Sequence, residues 1–115
     1  MNKSEAVACL YMQMTHISND QFEKTWANSN DEPEYVDQDF MNEWGLLIED
    51  LHKGLRSDFF EASDWVESNL DKDAKNKLYN LLYRSAAGSL TVKQMNLDLL
   101  QRDWNITNPH PPLQP

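Results

Sequence analysis

The sequence predicts an all-α fold, a compact antiparallel bundle of five to six helices with an irregular Pro-rich C-terminal tail. Three observations support this. Apolar residues recur with a period near 3.6 through most of the chain, and period-2 alternation is never sustained. Only three glycines occur in 115 residues. All five prolines fall outside the periodic segments, where they interrupt nothing. Length and composition suit one domain, assigned to residues 1–104, followed by a tail over 105–115.

The first helix is expected after Ser4 as N-cap, with Val7, Leu10, Tyr11 and Met14 at i, i+3, i+4 and i+7. A second starts at Ser18. Its Gln21 is the capping-box partner, and Ile17 and Phe22 form a hydrophobic staple. It carries Trp26 and ends near Asn28, and a polar loop then runs from Asn28 to Glu34. The longest helix comes next, with Val36, Phe40, Trp44, Leu47, Ile48, Leu51 and Leu55 on one stripe. Gly54 is read as its C-terminal cap and Gly45 as the site of a close helix crossing. A fourth helix is expected from about Asp58 to Leu70. A fifth runs from Lys72 to Ala87, with Ala74, Leu78, Leu81, Leu82 and Ser85 inward and Gly88 closing it. The sixth begins at Thr91, where Leu90, Thr91, Gln94 and Met95 repeat the staple and box of the second. Two related hairpins would produce that repetition, and so would the generic chemistry of helix starts. The four Trp residues, at 26, 44, 65 and 104, fall at core-compatible positions.

Charge is distributed far less evenly than hydrophobicity. Residues 31–71 hold thirteen Asp and Glu against Lys53 and Arg56, a net of −11, whereas the whole chain carries −9. Such a segment repels itself and sets up a field that attracts cationic partners and speeds their arrival. The fourth helix sorts its charges by face. At about 100° per residue, Phe59, Ala62, Trp65, Val66 and Leu70 share one arc, and Glu61, Asp64, Glu67 and Asp71 share the opposite one. Asp58 and Glu61 at its start also complement the helix dipole. Phe60 lies among the acids. A solitary exposed ring is ordinary, and an aromatic ringed by carboxylates is also how an anchor for a basic partner looks. The candidate partner-binding residues are therefore Asp31, Glu32, Glu34, Tyr35, Asp37, Asp39, Asp58, Phe60, Glu61, Asp64, Glu67 and Asp71. A solvated polar face is the plain alternative.

Patterns for catalysis are thin. His16, His52 and His110 are far apart, and there is no HExxH, paired-Cys or Gly-rich phosphate motif. No catalytic residue, metal ligand or cofactor is expected. Lone Cys9 precludes an internal disulfide, and a small buried thiol is its expected role. No signal-peptide pattern or run of roughly 20 apolar residues is present, so a cytoplasmic protein without membrane contact is expected.

The stretch from Leu10-Tyr11 through Ile17-Ser18-Asn19-Asp20-Gln21-Phe22 resembles the opening of colicin-D-type immunity proteins. There a first helix is followed by a short turn, a Ser or Thr cap, an acid or amide at the fourth place and then Phe. The resemblance spans about 20 residues, and the Pro-rich tail departs from that family's ending. It implies a cytosolic helical bundle that binds a nuclease toxin and covers its RNA-binding surface, as relatives do for contact-dependent-inhibition toxins. It transfers no individual binding residue. Physical reasoning leads independently to a similar place, because a nuclease must present Lys and Arg to phosphates and carboxylates can occupy that surface. The expected function is therefore capture of a basic protein, a nuclease toxin, with no direct binding of nucleic acid and the oligomeric state open. The alternatives are a phage anti-defence protein mimicking DNA and a non-inhibitory helical adaptor or regulator.

Overall fold

The computed structural model describes residues 1–14, 37–86 and 91–106. These form six helices: α1 (Lys3–Gln13), α2 (Gln38–Trp44), α3 (Ile48–Leu55), α4 (Phe59–Asn69), α5 (Lys72–Ala86) and α6 (Thr91–Asp103). No strand occurs among the described residues, and the all-α bundle stands. The expected helix from Ser18 to Asn28, the loop after it, Gly88 and the tail from Thr107 lie outside the described residues. None of the described helices is long and apolar enough to cross a membrane.

The chain is organised around α1. Ala6, Val7, Ala8, Cys9, Leu10, Tyr11, Met12 and Met14 are all buried, so the helix has no solvent face along its middle. The expected four-residue stripe was too narrow, because seven consecutive apolar residues leave no polar side to turn outward. A helix that is apolar all round belongs inside. Its largest contacts are with α3 and α4, and α5 touches it more lightly. The N-cap is Asn2 rather than Ser4, since the Asn2 side-chain oxygen accepts from the Glu5 amide at 2.8 Å. Tyr11 stacks on Phe40 of α2, with ring centroids 4.4 Å apart. Its hydroxyl accepts from the Asp37 amide at 2.9 Å, which satisfies the polar end of a buried ring.

The single long helix expected before Leu55 is two helices. Gly45 takes the left-handed conformation (φ 63°) immediately after Trp44 and ends α2. The Leu46 amide then donates to the Met41 carbonyl at 2.8 Å, and the Gly45 amide reaches the Asn42 carbonyl at 3.4 Å. That is a Schellman closure, which needs a residue free to adopt positive φ. Leu46 is buried, whereas Leu47, expected on the inner stripe, is 60% exposed and becomes the N-cap of α3. Asp50 accepts from the Leu47 amide at 2.8 Å and secures the new start.

Gly54 has the role expected of Gly45. A Cβ placed on it would lie 2.6 Å from the Ala8 carbonyl carbon and 2.7 Å from the Cys9 nitrogen. The backbones of α1 and α3 therefore cross there at a separation that only glycine allows. Nothing lies within 4 Å of a Cβ built on Gly45. The two glycines have exchanged their expected tasks.

The remaining helices follow the sequence closely. Asp58 caps α4 by accepting from the Glu61 amide at 2.9 Å, and Asp71 caps α5 by accepting from the Ala74 amide at 2.8 Å. Each such cap contributes about 1 kcal/mol. Leu78 and Leu82 of α5 are fully buried as expected, joined by Tyr79 and Ala86, while Ala74 and Leu81 pack at the edge. α6 packs on α5 and reaches α4, where the Trp104 indole donates to the Ser63 carbonyl at 3.1 Å. It ends as α2 does. Asn105 takes φ 54°, the Ile106 amide donates to Gln101 at 3.0 Å, and Ile106 is buried two residues past the expected domain edge.

Candidate functional site: the outward face of α4

The outward face of α4 follows from which residues must turn inward. Ala62, Ser63 and Val66 are buried, and Phe59, Trp65 and Leu70 pack at the edge of the core. That fixes the rotation of the helix, and Phe60, Glu61, Asp64 and Glu67 emerge on the other side, all exposed. Phe60, Asp64 and Glu67 stand at i, i+4 and i+7, one line along the helix, and Asp71, also exposed, lies past the extended Leu70 at the α5 cap. Phe60 is 64% exposed, yet its ring meets the Phe59 ring edge-on at 5.7 Å. Phe59 is held against the core, so Phe60 is an outward ring resting on a fixed one.

Among the described residues, Glu61, Asp64 and Glu67 form no ion pair with any Lys or Arg of the chain. Three like charges on adjacent turns cost the helix a few tenths of a kcal/mol per neighbouring pair. No cation among the described residues pairs with them to offset that cost, and all three side chains are exposed to solvent.

The other candidate acids are placed differently. Asp37 is only partly exposed and is committed three ways. Its carboxylate accepts from the Phe40 amide at 3.1 Å as the N-cap of α2, it lies 3.8 Å from Arg84, and its own amide donates to Tyr11. Asp39 is exposed on α2 beside Glu43, and Glu43 is paired with Lys77. These residues, with Asn80, Leu81 and Arg84, line an open groove of about 550 Å³ between α2 and α5. The pairs across it join positions 34 and 47 residues apart, which no sequence pattern reveals. Two acids of the negative segment are therefore balanced by α5. Asp58 and Asp71 are exposed but each spends one oxygen on a helix cap. Asp31, Glu32, Glu34 and Tyr35 lie outside the described residues.

No three His, Cys, Asp or Glu side chains converge on a possible metal position among the described residues. Cys9 is fully buried, and its thiol donates to the Ser57 carbonyl at 3.5 Å. Burial, followed by the negative charges of Asp58, Glu5 and Glu61, pushes its pKa up to about 12. At neutral pH it is a quiet thiol packed against α3. Native protein should therefore resist a thiol reagent at pH 8 and react fully once unfolded in urea. Its folded pKa exceeds the unfolded value near 9, so the thiol's contribution to stability is complete below pH 9 and is lost as pH rises toward 12. Cys9→Ala should flatten that alkaline decline, measured as urea midpoint against pH. An unchanged decline would mean that other groups cause it.

No family model, curated protein or solved structure matches this chain.

Proposed function

We propose that this protein is a cytoplasmic inhibitor of the immunity type, which captures a basic nuclease toxin by laying the acidic face of α4 over its nucleic-acid-binding surface. The observation that carries this reading is the row Glu61, Asp64 and Glu67, exposed, without an ion pair among the described residues and set beside the outward ring of Phe60. Unpaired carboxylates attract a cationic surface and accelerate encounter, and a ring resting on a fixed neighbour offers an apolar anchor once contact is made. Neither function requires chemistry from the inhibitor itself.

The size of the face supports a protein partner over duplex mimicry. From Phe60 to Glu67, within α4, is about 10 Å at 1.5 Å per residue. Duplex DNA presents about six phosphates over that length, one per 1.7 Å. Here the same distance carries three carboxylates and an outward aromatic ring, a composition suited to a local basic patch with an apolar pocket.

Inhibition is the decisive test. The tagged protein is used to retrieve its partner from source cells, and the purified partner is assayed for nucleic-acid cleavage with and without one equivalent of inhibitor. Complete suppression near one to one is the expected result. A partner without nuclease activity, or a nuclease that cuts equally well when bound, would overturn the proposal. Within that complex, Phe60→Ala should raise the dissociation rate about tenfold or more while leaving thermal stability unchanged, since anchors act through residence time. An unaltered dissociation rate measured by surface plasmon resonance would make Phe60 ordinary surface.

A further inference from the structure

No further inference is drawn: the strongest candidate, the mixed-charge groove between α2 and α5, has its cations Lys77 and Arg84 already paired with Glu43 and Asp37, and nothing in the structure shows what covers it.

Discussion

Gly54→Ala should lower the stability of the protein by about 1–2 kcal/mol, although alanine is the better helix former. The intrinsic preference alone favours alanine by about 1 kcal/mol. Against it stands the crossing with α1, where the new methyl would lie 2.6–2.9 Å from backbone atoms of Ala8 and Cys9. Backbone cannot rotate aside as a side-chain tip can. The two helices must separate, and overpacking against fixed backbone costs about 2–3 kcal/mol, the upper part of the usual range. A larger residue such as leucine should prevent native packing altogether. Gly45→Ala supplies the contrast, because there the space is open and only the positive φ resists, at about 1–2 kcal/mol. Gly45→Asn should recover most of that loss, as asparagine tolerates the left-handed region, whereas Gly54→Asn should recover none. Urea denaturation of the four variants measures all of this. If Gly54→Ala were neutral or stabilising, the close crossing of α1 and α3 would be wrong.

Reversal of Glu61, Asp64 and Glu67 to lysine should have the largest effect on association. The triple variant changes the charge of one helix face by six units while leaving the buried side of α4 and the Asp58 cap untouched. Its fold should survive with a modest loss, chiefly from placing a cation in the first turn against the helix dipole, about 0.3–1 kcal/mol. Electrostatic steering of the magnitude expected for a matched surface changes association rates by about 10–10³-fold at low salt. The association rate should fall within that range, and the difference should shrink as salt rises. The matching control is Lys72→Glu with Lys75→Glu on α5. Lys77 is unsuitable because it is paired with Glu43, and its reversal would set two carboxylates against each other. Comparable slowing by both sets, read by stopped flow at two ionic strengths, would remove the α4 face from the account.

Much of this fold is visible in the residues, and the features that are not visible depend on contacts between distant segments. The limits of α4 and α5 were legible because Asp58 and Asp71 cap them through purely local hydrogen bonds. The exposure of Phe60 was legible because the inward arc of α4 leaves it no other side to face. The roles of Gly45 and Gly54 were not. Both sit in an apolar stripe that reads continuously from Val36 to Leu55, and whether glycine serves a turn or a crossing depends on what approaches it from α1. A usable signal did exist in the sequence. Trp44-Gly45-Leu46 and Trp104-Asn105-Ile106 each place a left-handed-tolerant residue between a buried Trp and a buried aliphatic, and both close a helix in the same way. The pairing of Asp37 with Arg84 and of Glu43 with Lys77 was beyond sequence reading, since it follows from how α2 and α5 dock. Two acids of the negative segment are thus balanced by α5, while Glu61, Asp64 and Glu67 form no ion pair among the described residues, a division that net charge conceals.

The burial of α1 also bears on how the protein is made. Its wholly apolar middle is synthesised before the elements that pack on it most among the described residues, α3 and α4, which begin 36 and 47 residues after Met12 at Ile48 and Phe59. At translation speeds of about 5–20 residues per second, the nascent segment waits several seconds for these two helices. During that interval its apolar surface is open to aggregation, and its final docking onto α3 and α4 must wait for those helices to emerge.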